Sequence, residues 1–153
     1  MADPLHLLMV CTGNICRSPM AERLAQDYAR RRGRAIEVAS GSVMGLDGHP
    51  AHKHAVAVLK ELGLDLSDHR SQPITRALID EADYVLVMEY AHAAALRERF
   101  PHADERILLL GHFGGRDEIA DPLGSWRRRY RISRDEIKRC VEAFIDQLPV
   151  AGA

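Results

Sequence analysis

A chain of 153 residues, 46% hydrophobic and 28% charged, has the size and balance of an ordinary globular protein, and residues 1–153 read as a single domain with a substantial core. A formal net charge of −1 argues against a general nucleic-acid binder. No apolar run approaches the roughly 18 residues that a membrane span requires. The start, Met1-Ala2-Asp3-Pro4, lacks the basic flank and long apolar stretch of a secretory leader, and an odd number of cysteines makes no disulfide framework. Both features predict a reducing, cytoplasmic setting.

Leu5 to Val10, apolar except for His6, reads as a buried strand. It delivers Cys11 to a turn containing Gly13 and Asn14, the residues most tolerant of positive φ. Ser18-Pro19 then opens a helix to about Arg32, with Met20, Leu24, Ala25 and Tyr28 on one face. Arg30, Arg31 and Arg32 suit the end of its dipole before a Gly33 stop; an anion-binding patch is the alternative. Ala35 to Ser40 is a second strand. From about Pro50, the residues Ala55, Val56, Val58, Leu59 and Leu62 form a helical stripe that ends at Gly63. Tyr84 to Met88 is a third strand, and its continuous apolar character predicts burial on both sides. A helix from about Ala91 to Arg99 stops before Pro101, and Ile107 to Leu110 is a fourth strand. After a loop from Gly111 to Gly124, Ser133 is expected to open the last helix, with Glu136 completing a capping box. Its stripe is Ile137, Val141, Phe144, Ile145 and Leu148, and Cys140 on that face reads as inert packing. The alternation predicts an α/β fold with three α/β/α layers around a four-stranded parallel sheet. The loop after the first strand then lies at a carboxyl end, where open sheets of this kind bind ligands.

That loop, Cys-Thr-Gly-Asn-Ile-Cys-Arg-Ser from Cys11 to Ser18, carries the chemistry. Successive N–H groups of Thr12, Gly13, Asn14, Ile15 and Cys16 can form an anion nest, and the following helix adds its positive end. Arg17 supplies a planar fork for two phosphate oxygens. The same field favours the thiolate of Cys11, its nucleophilic form. Ser18 can donate to the Cys11 sulfur or simply cap the helix. Displacing an oxide or amine from phosphorus also calls for an acid, and Asp121, fixed by Pro122 in a loop, is the best candidate; a plain turn aspartate is the alternative. Cys16, five positions past Cys11, is either a partner for a protective disulfide or packing against the first helix. The histidines of His49-x-x-His52-x-His54 have no carboxylate or Cys at ligand spacing, so they read as loop histidines, and no metal or cofactor is expected.

The stretch from Val10 to Glu22, V-C-T-G-N-I-C-R-S-P-M-A-E, resembles the signature of the low-molecular-weight protein tyrosine phosphatases. Ala39-Ser40-Gly41, Asp65 to Arg70, Ala82 to Met88 and Asp121-Pro122 resemble further family segments, so the likeness covers residues 5 to 148. It implies hydrolysis through a phosphocysteine, with Cys11 as nucleophile, Arg17 and the loop holding the phosphoryl oxygens, and Asp121 as acid and then base. It also implies that Ser40 and His69 brace Asn14. The expected partners are a phosphorylated protein substrate and inorganic phosphate or other oxyanions. Substrate choice rests on two conflicting features. Asp121-Pro122-Leu123-Gly124-Ser125 is similar to a bacterial branch that includes protein arginine phosphatases, and the walls lack the aromatic pair usual with phosphotyrosine. Ile15, by contrast, goes with tyrosine in the family, since a branched apolar group crowds a guanidinium and offers it no hydrogen bond. Phosphotyrosine is the expectation, with protein arginine phosphatase as its alternative and a non-catalytic anion-binding module as the non-enzyme reading. The thiol-dependent arsenate reductases share the loop but need two further mid-chain cysteines, and residues 70 to 100 have none.

Overall fold

In the computed structural model, which describes residues 3–150, strand β1 (Leu5–Cys11) pairs in parallel on both sides. Its neighbours are β2 (Ile36–Ser42) and β3 (Tyr84–Val87), and β4 (Ile107–Leu109) completes the order β2-β1-β3-β4. Flanked in this way, β1 alternates between two cores. Leu7, Met9 and Cys11 face helices α1 (Arg17–Arg31), α2 (Lys53–Lys60) and α5 (Arg127–Gln147). Leu8 and Val10 face α3 (Arg76–Glu81) and α4 (Tyr90–Arg99). Burial on both faces from Leu7 onward is why Leu7 to Cys11 is apolar throughout instead of alternating with polar residues. The sheet order turns in opposite directions from β1, toward β2 and toward β3, so the loop after β1 stands at the topological switch point.

Several boundaries differ from expectation. The last helix begins at Arg127, six residues before Ser133. Ser133 lies inside it, buried, and its hydroxyl donates to the Ala120 carbonyl at 3.4 Å, so it ties the helix to the Asp121 loop instead of capping an end. The added turns are held by Tyr130, fully buried against His52 and His54, a tertiary contact that periodicity does not register. Helix α2 ends at Lys60, which leaves Leu62 exposed beyond the stripe. Helix α3 was not signalled by periodicity; six residues are too few to display one. Among the described residues no helix is long and apolar enough to cross a membrane.

Candidate active site

Cys11 is the last residue of β1, and Arg17 is the first of α1, so strand and helix fix both ends of the intervening loop. The turn between them is made at Asn14, whose φ of 56° is the one positive value at a non-glycine among the described residues. Asparagine tolerates this region better than other side chains, yet the conformation needs bracing. The structure supplies it from four directions. The Asn14 side-chain amide donates to Ser18 Oγ at 2.8 Å and to Ser40 Oγ at 2.9 Å, while its oxygen accepts from the Gln72 N–H at 3.0 Å. His69 Nε2 donates to the Asn14 carbonyl at 2.7 Å, which fixes that imidazole's tautomer. Ser40 in turn donates to Glu22. Ser40 and His69 thus both reach Asn14. Gln72 was missed, because a backbone donor from a loop leaves no mark in a sequence.

At the floor of the site the Ser18 hydroxyl lies 3.0 Å from Cys11 Sγ, and the Ser18 N–H donates to the same sulfur at 3.4 Å. Both are positioned to stabilise a thiolate. The Arg17 side chain is 1% exposed. Its Nη1 donates to Glu89 at 2.6 Å and to the Ile119 carbonyl at 2.7 Å, and its Nη2 stands 3.6 Å from Asp121 Oδ2. Its Nε–H is buried without a protein partner. A buried, unmatched donor is costly, so this N–H favours an anionic oxygen as its partner. Glu89 holds this arginine from the carboxyl end of β3 and was not identified from the sequence; its place just after the Tyr84–Met88 run was the available signal. Asp121 does two things at once. Its Oδ1 accepts from the Leu123 N–H at 3.0 Å, as a turn aspartate does, while Oδ2 faces Arg17.

Two further groups frame the loop. His92 Nε2 is 2.9 Å from Thr12 Oγ1, and burial, then the nearby Arg17 charge, holds this imidazole below its ordinary value and therefore neutral at pH 7. Cys16 is buried 3.4 Å from the Tyr130 hydroxyl, and burial pushes its thiol up to about 12. His52 and His54 pack on the Tyr130 ring, with centroids 5.1 and 5.2 Å away. Among the described residues, the three-ligand group able to hold a metal is His6, Glu37 and Glu81, toward the opposite ends of the strands from Cys11. Above the loop opens a cleft of about 220 Å³, with Ile15, Met44, Leu46 and Leu123 as apolar walls and Asp121 as the sole carboxylate.

The thiols should separate chemically. Burial raises both Cys16 and Cys140, so both stay protonated at neutral pH; Cys16 lines the cleft beside Cys11, but only the Cys11 sulfur meets the Ser18 hydroxyl and N–H. Iodoacetate at pH 7.5 is expected to label one thiol per native chain, at Cys11, and all three cysteines after denaturation. Inorganic phosphate should slow the native reaction. Peptide mapping checks this, and native labelling of Cys16 at a comparable rate would contradict it.

A cysteine sulfur held by Ser18, a buried arginine with an open donor and the Asp121 carboxylate meet at one cleft, and the comparisons with known proteins agree with a phosphatase site. The family profile described as "Low molecular weight phosphotyrosine protein phosphatase" matches residues 6–151. The chain is 38% identical over 147 residues to a protein-arginine-phosphatase of Geobacillus stearothermophilus, covering 95% of this chain and 97% of that one. It is 38% identical over 130 residues to the low molecular weight protein-tyrosine-phosphatase Wzb of Escherichia coli (strain K12), covering 85% and 81%. Among solved structures, Vibrio vulnificus Wzb in complex with benzylphosphonate superimposes with a TM-score of 0.88 at 33% identity, covering 94% of this chain and 99% of that one. The chain belongs to the low molecular weight phosphotyrosine protein phosphatase family.

Proposed function

We propose that this phosphatase acts on phosphotyrosine in proteins, and the observation that carries the reading is the lining of the cleft. A phenyl ring standing on the phosphate meets Ile15, Met44, Leu46 and Leu123, all apolar, within the reach of dispersion contacts. A guanidinium in the same place is desolvated against Ile15 with Asp121 as its one acidic neighbour, and Asp121 already faces Arg17. Benzylphosphonate, which a relative binds, has the shape of such a substrate.

The steps follow from the arrangement. The Cys11 thiolate attacks phosphorus in line, an S–P bond forms, and the bond to the tyrosine oxygen breaks as Asp121 passes its proton to that oxygen. Asp121, now ionised, takes a proton from water, whose oxygen attacks phosphorus and releases inorganic phosphate and the Cys11 thiolate. Arg17 and the loop hold the equatorial oxygens through both steps. Thr12 and His92, and Asn14 with Ser40 and His69, keep the loop in shape. Cys16 is assigned a packing role, because a disulfide with Cys11 would first require it to leave Tyr130 and lose a proton that burial retains.

The discriminating test compares kcat/KM on one peptide carrying phosphotyrosine and on one carrying phosphoarginine, before and after Ile15→Thr. The wild-type protein is expected to favour phosphotyrosine. The threonine hydroxyl should shift the ratio toward phosphoarginine by about 10- to 100-fold, the range that one pocket contact commands. A wild-type preference for phosphoarginine would reverse the assignment.

A further inference from the structure

The first turn of α5 is built against the helix dipole. Arg127, Arg128 and Arg129 occupy it with no acidic residue, although cations at a helix N-terminus are unfavourable. All three are exposed, and among the described residues none has an acidic partner, whereas Arg131 and Arg134 both pair with Glu61. Trp126, just before them, is 86% exposed and caps nothing.

The group stands beside the cleft. Leu123 lines it, and the four steps along the chain from Leu123 to Arg127 span at most about 14 Å. A second cation approaches from α2. The His52 N–H donates to the Ile15 carbonyl at 2.8 Å, which brings the next residue, exposed Lys53, near the loop; among the described residues Lys53 has no acidic partner either. The starts of α2 and α5 pack on each other, His52 and His54 of the one against Tyr130 of the other. His54 lies below its ordinary value through desolvation first and then through Arg127 and Lys53, which places both cations near one imidazole.

We propose that Lys53, Arg127, Arg128 and Arg129, together with the exposed Trp126, form a docking rim for acidic residues that flank the phosphotyrosine of a protein substrate. The inference rests on the phosphotyrosine reading above. An extended peptide advances about 3.3 to 3.6 Å per residue, so side chains within four or five positions of the phosphotyrosine reach the rim. Rim charges of this type raise encounter rates and set partner choice, and they are screened by salt. Trp126 offers a large apolar surface for the same segment.

The test uses two phosphotyrosine peptides of equal length, one flanked by Asp and Glu and the other by Asn and Gln. It measures the ratio of their kcat/KM values for the wild-type protein and for the triple variant Lys53→Glu, Arg127→Glu, Arg128→Glu. At low ionic strength the wild-type ratio is expected to favour the acidic peptide by about 10-fold or more, the scale of electrostatic steering. It should fall toward unity near 1 M salt, where screening extends to about 3 Å. The triple variant should lose or invert the preference. A wild-type ratio within twofold of unity at low salt overturns the rim and leaves the phosphotyrosine reading standing, since both peptides are then hydrolysed. A preference that survives the triple variant also overturns it. Hydrolysis of neither peptide overturns the phosphotyrosine reading, and the rim's substrate falls with it. The salt series on the wild-type protein does not depend on the variant's folding.

Discussion

Cys11→Ser is expected to lower turnover of p-nitrophenyl phosphate by at least about 10⁴-fold, as removal of a catalytic nucleophile does. The reason lies in what surrounds the sulfur. The contacts at Cys11 Sγ are the hydroxyl and the N–H of Ser18, at 3.0 and 3.4 Å. Such groups support an anion that already exists, and neither is a base able to deprotonate an alcohol. Serine in this place therefore stays a neutral, weak nucleophile. Arg17, Asn14 and the rest of the loop are untouched, so the variant should still bind inorganic phosphate within about tenfold of the wild-type affinity, because the anion contacts do not depend on the sulfur. Steady-state kinetics beside calorimetric titration with phosphate measures both halves. Full turnover by the variant would refute the phosphocysteine mechanism, and it is also the result that a simple anion-binding module could not produce.

Asp121→Asn should cut kcat/KM on phosphotyrosine by about 10²- to 10⁴-fold, the contribution of a positioned general acid. The loss should be smaller on p-nitrophenyl phosphate, whose leaving group is stable as an anion and needs the proton less. Asparagine keeps the oxygen that accepts from the Leu123 N–H, so the turn survives and the change falls on proton transfer. It also replaces a carboxyl group whose Oδ2 stands 3.6 Å from Arg17, while Glu89 at 2.6 Å still balances that buried guanidinium. The ratio of kcat/KM values for phenyl phosphate and p-nitrophenyl phosphate reads the acid's contribution directly, since hydrolysis of the phosphocysteine is common to both. Equal, small losses on both would make Asp121 a turn residue only.

The elements with a strong local pattern were legible in the sequence. Continuous apolar runs marked β1 and β3, because strands paired on both sides and covered on both faces tolerate few polar residues. Ser18-Pro19 marked the start of α1 to within two residues. The loop was legible as well, because its chemistry is contiguous: the thiol, the left-handed Asn14 and Arg17 lie within seven residues, and a nest needs only local backbone geometry. Asp121 was recognisable by its proline and by family likeness, but its second role was not, since Oδ2 meets Arg17 only when the loop before α5 folds back across more than a hundred residues of chain.

The start of α5 shows why the remainder stayed hidden. A serine followed three residues later by a glutamate has the form of a cap, and nothing local says that Tyr130, upstream of it, will be buried between two histidines from another helix. That burial extends the helix to Arg127 and turns Trp126 outward. The sequence by itself determined that a loop running from a cysteine to an arginine stands at the carboxyl end of a parallel sheet, since strand, loop and helix propensities are local. Only the tertiary structure decided which carboxylate balances Arg17, how Asn14 is held, and which side chains wall the cleft, because each depends on contacts between segments far apart in the chain.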